Sequence, residues 1–156
     1  MEEITTRKAT YNDLETLRRF EQGVIIAERP FDPTLKKGLI SYYDLEAMIA
    51  ATHVELIVAE LNGEIVGSGY ARIETAKPYL QHEQHAYLGF MYVEPQHRGK
   101  GINKIILAAL KKWSSSQNIT ELRLEVYFNN TPAITAYEKA GFTKHMIEMR
   151  MSLEEK

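Results

Sequence analysis

The stretch Val93-Glu94-Pro95-Gln96-His97-Arg98-Gly99-Lys100-Gly101-Ile102-Asn103-Lys104 limits what this chain can fold into more than any other. An apolar run, Tyr87 to Val93, ends in a basic turn that holds two glycines, and an amphipathic pattern begins at once. Glycine lets a backbone approach a ligand closely, while a helix start offers unpaired N–H groups and the positive end of its dipole. Arg98, Lys100 and Lys104 add countercharge. A strand, such a turn and a helix together imply a phosphate-bearing ligand, against the plainer reading of a solvated connection. Spacing excludes two nucleotide loops. A dinucleotide fingerprint wants a third glycine where Lys104 stands, and a P-loop wants four residues between its glycines, then Lys and Ser or Thr.

At 156 residues the chain fits one domain, 1–156, with a sizeable core. Its 44% hydrophobic and 26% charged residues are an ordinary globular balance, and a net charge of −2 gives no electrostatic case for nucleic acid. No apolar run approaches the ~20 residues of a membrane span, and Met1-Glu2-Glu3 is unlike a signal peptide. A cytoplasmic protein with no membrane partner is expected, with a homodimer as an allowed assembly. Cysteine is absent, so acyl transfer through a cysteine thioester is excluded.

Ile4–Ala9 reads as a strand, and Thr10 with Asp13 as a helix cap before Leu14, Leu17, Glu21 and Val24. Two prolines, Pro30 and Pro33, end that helix, and a second helix is expected over Leu39–Ala51. Val54–Leu61 and Glu64–Ile73 flank Asn62-Gly63, a hairpin turn in which both residues tolerate positive φ. A polar connection leads to the strand His85–Val93. The helix Ile102–Ser115 presents Ile102, Ile105, Ile106, Leu110 and Trp113 as a buried stripe. Strand Leu122–Tyr127, a helix opened by Pro132 and closed by Gly141, and strand Phe142–Met151 complete the chain. This order implies an α/β fold: a mixed, mostly antiparallel central sheet with helices on both faces.

At Arg98-Gly99-Lys100-Gly101-Ile102-Asn103 and at Asn130, Ala133, Tyr137 and Gly141-Phe142 the chain resembles the GNAT family of N-acetyltransferases. The family's acyl-CoA N-acyltransferase fold covers the whole element order; Asn103 departs from the small residue usual at its position. The resemblance implies acetyl-CoA as acyl donor. Arg98, Gly99, Lys100, Gly101, Ile102, Asn103 and Lys104 would cradle its pyrophosphate. Met91 and Tyr92 would supply backbone donors to the thioester oxyanion, Val93 would pair with the pantetheine, and Asn130 and Ala133 would meet the cofactor's arm. Gly89 would mark the irregularity that splays this strand. Tyr137 would be the acid that protonates the leaving thiolate.

For the base, histone-type members use a glutamate where this chain has Tyr87, and ribosomal-protein alanine acetyltransferases use one where it has Glu125. Glu125 is therefore the expected base, with His85 and Glu74 as alternatives acting through water. His82-Glu83-Gln84-His85 has a spacing that can bind metal, but is expected to be solvated, and no metal is expected. The acceptor expected is a primary amine, small-molecule or peptidyl, attacking in a ternary complex with no covalent acyl-enzyme. Residues 30–37, Asp44, Glu46 and the Pro78-Tyr79 connection would define its site. The alternative is a non-catalytic acyl-CoA-binding regulatory module.

Overall fold

The computed structural model describes residues 3–155. By its packing the chain forms two units, one ending at Glu125 and one starting at Val126. The first contains β1 (Ile4–Lys8), α1 (Leu14–Glu28), α2 (Leu45–Ala50), β2 (Val54–Leu61), β3 (Glu64–Thr75), β4 (Gln84–Val93), α3 (Ile102–Ser116) and β5 (Leu122–Arg123). The second contains α4 (Thr131–Lys139).

Five strands form one sheet in the order β1-β2-β3-β4-β5; the first three pairings are antiparallel and β4–β5 is parallel. Asn62 and Gly63, both at positive φ, make the expected β2–β3 hairpin. β2 is buried along most of its length because both sheet faces are covered. On one face Leu17 and Phe20 of α1 and Leu45 and Ile49 of α2 pack with Val54, Leu56, Val58, Tyr70 and Phe90. Burying each such large side chain contributes about 1.5–3 kcal/mol. The opposite face receives α3, with Ile102, Ile106, Leu107 and Leu110 buried. A Cβ at Gly69 would lie 2.7 Å from Ile106 Cγ2 and from Met91 Sδ, so the missing side chain sets how closely α3 sits.

Four expectations need correction. The helix over Leu39–Ala51 contracts to α2, because Glu21 and Gln22 of α1 hold residues 40–43 by their backbone instead. The strand Leu122–Tyr127 contracts to β5. Phe142–Met151 is not a strand: a strand needs a ladder partner, and the second unit holds none among the described residues. On α3, Ile105 is 36% exposed and Trp113 only half-buried; Leu107 and Ser114 take the buried positions.

β1 is tied to the start of α1 by charge. Arg7 donates to both oxygens of Asp13 at 2.8 and 2.9 Å, and the Thr10 N–H donates to Asp13 Oδ2 at 2.8 Å. The guanidinium holds the Asp13 carboxyl below the usual carboxylate range. A depressed folded-state value stabilises the fold above the ordinary ~3.9, and this contribution is lost as pH falls through the lower value. Asp13→Asn should therefore show a shallower loss of stability below about pH 4 than the parent chain in urea titrations; identical acid branches would contradict the assignment.

The β3–β4 ladder breaks once. Tyr70 faces Gly89 and Ser68 faces Tyr92, so Phe90 and Met91 together oppose Gly69. Phe90 takes the positive φ of 55°, and its carbonyl accepts a 3.0 Å bond from the fully buried Ser68 Oγ. The irregularity expected at Gly89 thus falls one residue later. Gly89 serves packing, since a Cβ there would lie 2.5 Å from Tyr70 Oη. Ser68→Ala should lower the unfolding free energy by about 1–3 kcal/mol; an unchanged urea midpoint would show that the bulge does not need the hydroxyl.

Candidate active site

The bulge precedes an open strand edge. β5 pairs with β4 only at Ala86–Leu122 and Tyr87–Arg123, so within the first unit Leu88 to Val93 have no strand on that side. The Glu94 N–H donates to Val66 O on β3 at 2.8 Å, and by strand alternation the polar groups of Val93 face away from β3. Arg98 Nε approaches Val93 O at 3.4 Å from that side. An edge of this kind can accept an extended amide-bearing ligand as another strand would.

The edge runs into the basic turn. Glu94 is buried and paired with Arg19 of α1, which fixes where the turn begins; a single 3-10 turn, Pro95–His97, follows. Gly99 (φ 83°) and Gly101 (φ 77°) adopt left-handed conformations that side chains disfavour, with open space where their Cβ atoms would lie. Gly101 caps α3 without any side-chain bond. The Ile105 N–H closes the first helical turn on Gly101 O at 3.2 Å, leaving the amides of Ile102, Asn103 and Lys104 at the helix mouth. Ile102 is buried and anchors the helix, while Arg98, Lys100 and Lys104 are exposed around it. These groups can hold an anionic phosphate chain.

A polar and aromatic cluster lies on the α1/α2 face. The Tyr87 hydroxyl donates to Glu125 Oε1 at 3.0 Å. Burial first, and the Glu125 carboxylate second, push the Tyr87 phenol far above the ordinary tyrosine range, so it stays protonated. The Arg72 guanidinium lies 5.4 Å from the ring centres of both Tyr70 and Tyr87 and donates to Glu74 Oε2 at 2.9 and 2.7 Å. Glu74 Oε1 in turn lies 3.3 Å from His85 Nε2. Sequence reasoning set Tyr87 aside as a lost glutamate; its pairing with Glu125 across β4 and β5 was the signal to look for.

The segment before α2 is held by α1. Glu21, itself buried, accepts from the N–H groups of Tyr42 and Tyr43 at 2.9 and 2.7 Å; Gln22 donates to Ile40 O at 2.9 Å. A cleft of about 760 Å³ opens there, lined among others by Arg18, Gln22, Leu39, Tyr42 and Glu46. From it a line of rings runs inward: Tyr42 to Tyr43 (5.7 Å between centroids), Tyr43 to Tyr70 (5.9 Å) and Tyr70 to Tyr87 (6.4 Å). Tyr43 also packs on Phe90 at 4.8 Å, linking this segment to the bulge.

In the second unit, Asn130 caps α4 by accepting from the Ala133 N–H at 3.4 Å. The other end closes with Phe142 N–H to Tyr137 O and Gly141 N–H to Glu138 O, both 3.0 Å, with Gly141 at φ 108°. This is a Schellman closure, and its usual apolar contact is the Tyr137–Phe142 ring pair, 5.8 Å apart and edge-on. The Gly-Phe pair thus holds the helix end on which Tyr137 sits.

The acetyltransferase (GNAT) family model matches residues 20–142. Over 64 residues the chain is 38% identical to a streptothricin acetyltransferase of Escherichia coli, covering 41% of this chain and 37% of that one. It is 26% identical to an aminoglycoside N(6')-acetyltransferase type 1 of Stenotrophomonas maltophilia over 70% of this chain and 73% of that protein. A crystal structure of a predicted acetyltransferase with acetyl-CoA from Clostridium acetobutylicum superposes with a TM-score of 0.73 at 22% identity, over 97% of both chains. The match to the streptothricin enzyme thus spans about a third of that relative. With the family model spanning most of its length, both its sheet and its loop accounted for, this chain belongs to the acetyltransferase (GNAT) family.

Proposed function

We propose that the protein is an N-acetyltransferase that moves an acetyl group from acetyl-CoA to a primary amine by direct attack. The observation that carries this reading is the open β4 edge after the Phe90 bulge, continuous with an uncapped, glycine-flanked helix start. In it the amides of Gly99, Gly101, Ile102, Asn103 and Lys104, with the Arg98, Lys100 and Lys104 charges, bind the pyrophosphate. The polar groups of Val93 pair with the pantetheine, and Asn130 and Ala133 meet its arm.

An amine with a pKa near ~10.4 is mostly protonated at neutral pH. Glu125 takes its proton, directly or through water, while Tyr87 keeps one carboxylate oxygen oriented. The amine nitrogen then forms the new N–C bond, and the thioester oxygen becomes an oxyanion received by the backbone N–H of Met91 or Tyr92. The C–S bond breaks as the carbonyl re-forms, the thiolate takes the Tyr137 phenolic proton, and the second proton on the acylated nitrogen passes through water to the Tyr137 phenolate, while Glu125 returns its proton to solvent. Glu46 and the Tyr42 ring at the 39–46 cleft support a cationic amine as acceptor, since carboxylates and ring faces attract cations. The aminoglycoside acetyltransferase relative supports a small-molecule amine.

An acceptor screen with acetyl-CoA, polyamines, amino acids, aminoglycosides and peptides, read by thiol release and product mass, tests the activity. Acceptor-dependent thiol release with a gain of one acetyl group supports it. Tight acetyl-CoA binding with no product across the panel favours a non-catalytic acyl-CoA-binding module instead. With the acceptor in hand, Tyr137→Phe keeps the ring against Phe142 and should lower kcat about 10²–10⁴-fold with acetyl-CoA binding nearly unchanged. Glu125→Gln should lower kcat/KM about 10²–10⁴-fold with acetyl-CoA binding nearly unchanged. Unchanged rates in either variant would reject the role of that residue.

A further inference from the structure

Three side chains that acetyl transfer with Glu125 as base does not use converge at the start of β4. His82 in the β3–β4 connection, His85 on β4 and Glu121 just before β5 each bring one donor atom within 4.8 Å of the other two. The sequence pattern suggested a solvated His82–His85 stretch, but His85 is only 7% exposed. Its Nδ1 is buried and has no hydrogen-bond partner, an arrangement that ordinarily costs about 1–3 kcal/mol. Its other nitrogen, Nε2, lies 3.3 Å from Glu74 Oε1, and Arg72 fixes that carboxylate through its second oxygen. A carboxylate on Nε2 holds the proton there and leaves the Nδ1 lone pair available; metal-binding histidines are commonly oriented this way.

We propose that His82, His85 through Nδ1 and the Glu121 carboxylate bind a divalent transition-metal ion, best suited to zinc, with water completing the coordination. His82 Nε2 and Glu121 Oε2 are already 2.9 Å apart, so separating them by a few tenths of an ångström gives the spacing of neighbouring ligands on zinc. Arg123 stands where the cation would be felt: its Nε donates to Glu121 Oε2 at 2.7 Å, and its Nη2 lies 3.4 Å from His82 Nε2. Its side chain is 40% exposed and is free to swing toward solvent as the ion enters. The bound ion clamps the α3–β5 connection to β4 where the ladder has only the pairs Ala86–Leu122 and Tyr87–Arg123. The site does not rest on Glu125 acting as the base.

The test is calorimetric titration of the EDTA-stripped full chain, free of any affinity tag, with Zn²⁺, alongside the visible absorption of its Co²⁺ form. One ion per chain, intense tetrahedral Co²⁺ bands and a Zn²⁺-dependent rise in Tm are expected. His82→Ala and Glu121→Ala alter partly exposed side chains and should cost at least about 100-fold in affinity. Glu74→Gln, not itself a ligand, should cost about 10–100-fold. Arg123→Ala removes the competing charge and should bind Zn²⁺ more tightly than the parent. No saturable binding up to millimolar Zn²⁺, or binding that survives His82→Ala unchanged, would overturn the site. Unchanged affinity in Glu74→Gln would overturn the orienting role of that carboxylate.

Discussion

The carbonyl of Phe90 accepts its hydrogen bond from Ser68 Oγ in a place closed to water, and the residue pays for a positive φ that a bulky side chain normally avoids. Such a conformation costs on the order of 1–3 kcal/mol and persists only when its surroundings hold it. Here the surroundings are the Ser68 hydroxyl, the Tyr43 ring at 4.8 Å and the apolar layer made by α1, α2 and β2. The result is an extra residue in β4 opposite Gly69 and a local bend, within a stretch that β5 leaves unpaired in the first unit because it ends at Arg123. The extra residue sets which polar groups of Tyr92 and Val93 face that side.

The second constraint is the way α1 is used. Its apolar side builds the core through Leu17, Phe20 and Ile25, but its polar residues reach outward to both functional ends. Arg19 takes the buried Glu94 at the root of the glycine turn, while Glu21 and Gln22 hold the backbone of residues 40–43. One helix therefore positions both the basic glycine turn and the segment before α2. Between them the protonated Tyr87 holds Glu125, in place of a glutamate on β4 itself.

Much of this was legible in the residues. The Asn62-Gly63 hairpin, the strand running into the glycine turn, and α4 between Pro132 and Gly141 are short-range patterns, and each formed as the local chemistry dictates. What was not legible depends on distant partners. The 39–44 segment has helical spacing, yet Glu21 captures its amides from twenty residues away. Gly89 reads as a bulge glycine, but the space it leaves is filled by Tyr70, and Phe90 takes the unusual backbone angle. His85 reads as a strand start with its side chain in water, yet it is buried; Glu74 and Glu121, on other segments, give it its surroundings. The Tyr87–Glu125 pair is similar, since each residue is unremarkable until β4 and β5 lie side by side.

In the proposed complex the β4 edge and the α3 start together receive acetyl-CoA through their backbone amides. Amide hydrogen exchange, read residue by residue with and without acetyl-CoA, tests it most directly. New protection is expected at Val93, Gly99, Gly101, Ile102, Asn103 and Lys104, with the β2 amides unchanged. Saturating acetyl-CoA that leaves those six amides exchanging as before, or protects a different surface, would contradict it.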